Sequence, residues 1–249
     1  QSSPDWMFPH HRAAIPQMLE DGVRAMAIDI HYGLAGGARV KTDLSGASGG
    51  KLFEAVGDSL GVIAERIRNT LMGGDEGQRR LFFCHGFCEL GAYDPQPTFE
   101  GIRDFMVSNP DEVVLMIIED YVSLEDLQRL FDDAGLTPLV FRGPAPAQWP
   151  TLRELIASSQ RLVVFVESGR PGVPWLLPTA GQIQETPYTF KTPADFSCQP
   201  NRGGTTGALS RLCGDAGLRG HTDPERRCRG GRGTCGANAR RVDADRSGV

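Results

Sequence analysis

Apolar positions along the chain follow two rhythms, and the two alternate. Residues 23–32 read as a strand, and period two places Ala25, Ala27, Asp29 and His31 on one face. Residues 113–118 and 162–166 are unbroken apolar runs, the pattern of strands covered on both faces. Leu81 to Cys84 is a shorter run of the same kind, ended by His85 and broken by Gly86. Helical spacing fills the intervals. It predicts helices over 12–21 (Ile15, Met18, Leu19), 52–72 (Leu52, Val56, Leu60, Ile63, Ile67, Leu71) and from Thr98 to the Asn109-Pro110 stop. Two more run from Leu124 to Ala134 behind a Ser123 cap, and from Thr151 to Ser158. Thr151 and Glu154 have the spacing of a capping box. Short strands are predicted at 39–44 and 138–141, and the Pro- and Gly-rich residues 169–187 predict a long loop.

Apolar strands alternating with helices predict an α/β fold with a parallel sheet, and a (β/α)8 TIM-type barrel ahead of an open sheet. In that reading the strands at 24–31, 81–85, 113–119, 138–141 and 162–166 are parallel neighbours. No Gly-rich phosphate loop follows the first strand, which argues against a doubly wound nucleotide-binding fold.

The strands deliver polar residues to their carboxyl ends, where a parallel barrel keeps its functional groups. Asp29 and His31 leave the first strand, His85 the next, Glu119 and Asp120 the third and Glu167 the last. An Asp two residues from a His suits a metal ligand or an oriented general base. The plainer alternatives are a solvated strand end for Asp29 and His31, a core histidine for His85, and a helix start for the acids before Ser123.

Length and composition narrow the picture. With 249 residues, 40% of them hydrophobic, the chain can build one large core. Residues 1–210 are expected to form it. No stretch approaches the ~18 apolar residues of a membrane span. The chain opens at Gln1, so a removed leader is compatible with it. Residues 211–249 carry nine Arg and five acids, are poor in large apolar residues, and are expected to be disordered. The whole chain has a net charge of −5, so the body is acidic, which argues against nucleic acid as a partner. Cys84 and Cys88 flank His85, which opens two readings: a zinc cluster with only three local ligands, or a disulfide involving Cys84, Cys88 or Cys198 in an extracytoplasmic protein.

Four segments occur in a telling order: Gly22-Val23-Arg24 with Ile28-Asp29-Ile30-His31-Tyr32; Cys84-His85-Gly86-Phe87-Cys88; Asn109-Pro110-Asp111-Glu112-Val113-Val114; and Cys198-Gln199-Pro200-Asn201-Arg202-Gly203-Gly204. Together they resemble the PLC-like phosphodiesterase superfamily, in particular proteins with a phosphatidylinositol-specific phospholipase C X-type domain. The resemblance covers about residues 4–210. It implies an irregular or incomplete barrel, lacking its first and last strands in this chain. It also implies a phosphoric diester hydrolase in which the inositol 2-hydroxyl attacks phosphorus and two histidines act as base and acid. His85 matches the acid. The first histidine would sit on a strand before the Trp6-Phe8-Pro9 region, upstream of Gln1. The chain as given is therefore expected to be nearly inactive unless His31 or another group serves as base. Calcium-dependent relatives carry Glu-x-Asp on the second strand. Here Ala27 replaces the Glu, while Asp29 matches the Asp and Glu119 a further ligand, a thin set for Ca2+. Arg202 and Glu167 are the candidates for contacting substrate. The implied partners are a phospholipid or other phosphodiester and a membrane surface, with an extracellular or membrane-associated location. The alternative function is a catalytically degenerate barrel that binds a phosphorylated or glycan ligand.

Overall fold

A computed structural model describes residues 13–36, 39–45, 62–63, 66, 69–70, 77–144, 148–167, 172–183 and 191–195. The chain divides into two compact units, Gln1–Thr179 and Ala180–Val249. In the second, the described residues include a short turn, Pro193–Asp195, where the Asp195 carboxylate accepts from the backbone N–H groups of Lys191 and Thr192. The expected boundary at 210 and the tail 211–249 lie outside the described residues, as does most of the expected helix at 52–72.

The first unit is mixed α/β. Helix α1 (Ile15–Glu20) leads into β1 (Ala25–Ala35), followed by β2 (Lys41–Thr42) and β3 (Gln78–Phe83). Then come α2 (Pro95–Ser108), β4 (Val114–Asp120), α3 (Leu124–Asp133), α4 (Leu152–Ala157), β5 (Leu162–Val166) and β6 (Leu176–Pro178). The sheet order is β2-β1-β4-β5-β6, with β3 also paired to β1. β1, β4, β5 and β6 are mutually parallel, and β2 and β3 run antiparallel to β1. Among the described residues the sheet is open.

The sheet has two unlike faces. Met26, Ile28, Ile30, Val114, Met116 and Ile118 are buried in one core with Phe99 and Ile102 of α2 and Leu127 and Phe131 of α3. The alternate positions, Ala25, Ala27 and Asp29 on β1 and Leu115, Ile117 and Glu119 on β4, are more open. Period two thus separates a helix-covered face from the face that carries the polar strand ends.

Several local signals hold in detail. Ser123 caps α3 by accepting from the Asp126 N–H, and Thr151 and Glu154 form the capping box of α4. Gly22 turns the chain after α1 at φ +94, a conformation that L side chains resist. Gly33 serves packing instead, since a Cβ there would lie 2.5 Å from Val40 Cγ1 and 2.7 Å from Phe82 Cδ2.

Four expectations are corrected. The 81–85 strand is antiparallel to β1, not parallel, so these strands do not make a simple all-parallel barrel. It also starts earlier, at Gln78, because Arg79 stacks over the Tyr32 ring at 3.4 Å and pairs with Asp43 at 2.6 Å, which carries polar residues into the ladder. Residues 138–141 do not form a strand. Pro138 has no N–H for a ladder, so the chain makes a 3-10 turn, and Val140 keeps a single bridge to Leu162. The expected loop at 169–187 contains β6, a short edge strand that ends at Pro178 for the same reason. Finally, α2 begins at Pro95 rather than Thr98, capped by Asp94, with proline in its first turn.

Arg161, only 5% exposed, ties the lower end of the sheet together. Its guanidinium donates to the carbonyls of Met106 (2.8 Å), Asn109 (3.0 Å) and Glu112 (2.8 Å). Arg161→Met would keep the apolar stem but withdraw every one of these donors. It is expected to cost at least about 2 kcal/mol, because buried acceptors are left unsatisfied. Urea unfolding checks this, and a loss below about 0.5 kcal/mol, the scatter of surface substitutions, would show the contacts to be incidental.

Candidate active site

Asp29 and Glu119 stand side by side, because parallel pairing puts the middle of β1 in register with the carboxyl end of β4. Glu167 joins them from just beyond β5, with its N–H donating to the Ile118 carbonyl at 3.1 Å. His85 reaches the same place by a different route. β3 runs opposite to β1, its last residue Phe83 pairs with Ile30, and the chain then continues to His85. β3 starts level with Ala35 and runs back along β1 to Ile30, so the next residues bring His85 to the level of Asp29, where β4 and β5 end. His85 Nδ1 and Asp29 Oδ2 form a short hydrogen bond.

The two partners differ in access. The His85 side chain is 56% exposed, while that of Asp29 is 16% exposed. With Nδ1 held by the carboxylate, Nε2 is the ring nitrogen that this bond leaves over. The Asp29 hydrogen bond raises the His85 pKa above the ordinary imidazole value; burial opposes the shift, and the charges of Asp29 and Glu119 add to it. The Glu119 carboxyl is also pushed up, first by burial and then by the negative charges of Asp29 and Glu167. Tyr121 donates to Glu119 Oε2 at 3.2 Å, and its own ionisation is driven up by burial and by Glu119.

The His85 shift fixes the sign of a pH effect. A histidine whose folded pKa is raised adds stability below its unfolded pKa of about 6.5, and that stability is lost as pH rises through the folded value. The ring is more than half exposed, so solvent screens the pair and the effect is small. Thermal unfolding of wild type and His85→Gln at pH 5 and pH 9 should show the wild-type advantage at pH 5 only. An advantage at pH 9 would contradict the assigned sign.

The sequence candidates are not placed alike. Asp29, His85, Glu119 and Glu167 come together. His31 is 2% exposed, and its ring stacks on Tyr121 at 4.1 Å with an interplanar angle of 10°. It thus has the place of a core ring behind the site rather than that of a group open to substrate. β1 also continues to Ala35, so His31 lies within the strand and not at its end. Asp120 is buried, and alternation sends it away from Glu119 to the other face. Arg202 lies outside the described residues, as do His10, His11 and Cys198. Tyr121 was not singled out from the sequence, although period two counted from Glu119 places it on the same face.

Cys84 and Cys88 are joined in a disulfide, which removes the thiolates that zinc would need. Calcium takes six to eight oxygens. Among the described residues no three His, Cys, Asp or Glu side chains are arranged to hold a metal ion. Asp29 and Glu119 by themselves offer four carboxylate oxygens, fewer than calcium takes.

The fold is thus a parallel-rich α/β sheet that brings an exposed imidazole together with the carboxylates of Asp29, Glu119 and Glu167. The chain belongs to the PI-PLC X family, whose model, PI-PLC X 1, matches residues 69–213, more than half of the chain. It is 30% identical over 131 residues to an uncharacterized secreted protein of Arthroderma benhamiae, covering 49% of this chain and 29% of that protein. It is 33% identical over 117 residues to PI-PLC X domain-containing protein 1 of the same fungus, covering 43% of this chain and 38% of that one. A PI-PLC X domain-containing protein of Arabidopsis thaliana is 37% identical over 121 residues, with 41% and 28% covered. The chain thus spans about a third of the length of the curated relatives it matches. No solved structure matches it significantly.

Proposed function

We propose that the protein cleaves a phosphodiester of the phosphoinositide type by acid–base catalysis, with His85 as general acid and Asp29 as its orienting partner. The observation that carries this reading is the His85–Asp29 hydrogen bond beside the carboxyl end of β4. The Asp29 hydrogen bond shifts the imidazole toward its protonated form, the form that a general acid uses. Asp29 holds the ring at Nδ1 and leaves Nε2–H over. As the neighbouring hydroxyl attacks phosphorus and a new P–O bond forms, the P–O bond to the departing alcohol breaks. Nε2 delivers its proton to that oxygen. The proton of the attacking hydroxyl goes to a base, which the family resemblance assigns to a second histidine ahead of Trp6.

We read β1, β4, β5 and β6 as one arc of an irregular barrel, with β3 as an antiparallel addition at its rim. One point supports an extracellular or membrane-surface location: a relative is described as secreted.

The test is release of inositol phosphate, cyclic or open, from phosphatidylinositol vesicles by the protein expressed from its complete reading frame, with phosphatidylcholine vesicles as control. Cleavage of the first alone is the expected result. Binding to either vesicle without cleavage would replace the hydrolase with the ligand-binding reading.

A further inference from the structure

His85 sits on a loop, and a loop must be held in place if its imidazole is to meet Asp29 on every turnover. The turn itself is tight: the Phe87 N–H donates to the His85 carbonyl at 2.9 Å around Gly86, whose φ is +68. On its upstream side the loop is anchored by β3, paired to β1. On its downstream side the anchor is a buried cluster that the proposed chemistry does not use. The Cys88 N–H donates to Thr42 Oγ1 at 2.8 Å, and the Thr42 hydroxyl donates onward to Glu89 Oε2 at 2.7 Å. The Thr42 N–H donates to Glu89 Oε1 at 3.0 Å. Thr42 is itself paired to Gly33 of β1, the strand that carries Asp29. The Cys84–Cys88 disulfide closes the segment between the two anchors, and both cysteines are buried with Phe82.

We propose that Thr42 and Glu89 are positioning residues, which hold the Cys84–Cys88 loop to β1 and so keep His85 against Asp29. One strand then serves as the common base for both partners: it carries Asp29 directly, and it carries the histidine loop through Thr42. The hydroxyl is needed in both senses, since it accepts from Cys88 and donates to Glu89. Valine can do neither, while serine can do both. The inference rests on the reading that His85 transfers the proton, but the contact it concerns can be seen without turnover.

The experiment compares Thr42→Val, Thr42→Ser and Glu89→Gln with wild type in the same complete protein. Two readouts are kcat and KM on phosphatidylinositol vesicles and the downfield imidazole Nδ1–H resonance of His85, the signature of its bond to a carboxylate. Thr42→Val is expected to lower kcat by about 10–100-fold, the cost of misplacing a reacting group by about an ångström, with KM little changed. It should also shift or broaden the resonance. Thr42→Ser should keep both. Where Thr42→Val does not fold, Glu89→Gln weakens the same acceptor at nearly constant shape and should shift the resonance in the same direction. An unchanged resonance in Thr42→Val, or in Glu89→Gln if only that variant folds, overturns the proposal. So does a fall in kcat that serine fails to rescue. Were wild type to cleave nothing while the resonance moved as expected, the positioning inference would stand and the hydrolase reading would fall.

Discussion

Replacing His85 by alanine is expected to slow phosphoinositide cleavage by about 10²–10⁴-fold, the usual contribution of one general acid. The loss should fall on kcat, because the imidazole acts on the departing oxygen as its bond breaks and adds little to ground-state binding. The fold should survive, since the side chain is more than half exposed and packs into neither core cluster. The proper comparison is therefore turnover at matched far-UV circular dichroism and matched unfolding temperature. A substrate with an activated leaving group, which needs no proton, should recover much of the rate in the alanine variant. Turnover within threefold of wild type on the natural substrate would remove His85 from the mechanism.

The second large effect is expected from Asp29→Asn, at about 10²-fold or more. The amide can keep a hydrogen bond to Nδ1, but it carries no charge to hold the imidazole protonated and can present its NH2 group to the ring instead. The Asp29 hydrogen bond is the largest cause of the raised His85 pKa, with its charge acting in the same direction. The acid is active only when protonated, so activity falls as pH rises through the His85 pKa. In the asparagine variant that falling limb should move to lower pH, whereas a merely structural defect would lower the whole profile without moving it. An unmoved limb would show that Asp29 does not act through His85.

Much of this arrangement can be read along the chain. β5 matches its apolar run residue for residue, since a strand covered on both faces leaves an uninterrupted signal. β4 and the capped starts of α3 and α4 follow from patterns only a few residues long. Asp29, His85, Glu119 and Glu167 were each singled out because a polar residue ends an apolar strand. That is a statement about burial, and burial is written into local alternation.

Direction and partnership are not written there. The run at 81–84 is equally apolar in either orientation, and only its hydrogen bonds to residues 30–35 of β1 make it antiparallel. His85 nonetheless arrives beside Asp29, because β3 runs back along β1 as far as Ile30 and the chain then continues to the level of Asp29. Glu119 and Asp120 are neighbours in sequence, yet alternation against the helix layer gives one to the site and the other to the buried face. The choice of Cys88 as partner for Cys84, the stacking of His31 on Tyr121, and the grip of Thr42 on Glu89 across 47 residues all depend on segments that meet only after the chain has folded. Short-range patterns thus dictate the doubly covered strands, the capped starts of α3 and α4 and the polar residues that follow apolar runs, since these depend on dihedral preference and hydrophobic period within a few residues. Which strands pair, in which direction, and which groups then touch was decided only by the tertiary structure, because those choices rest on hydrogen bonds and packing between distant segments.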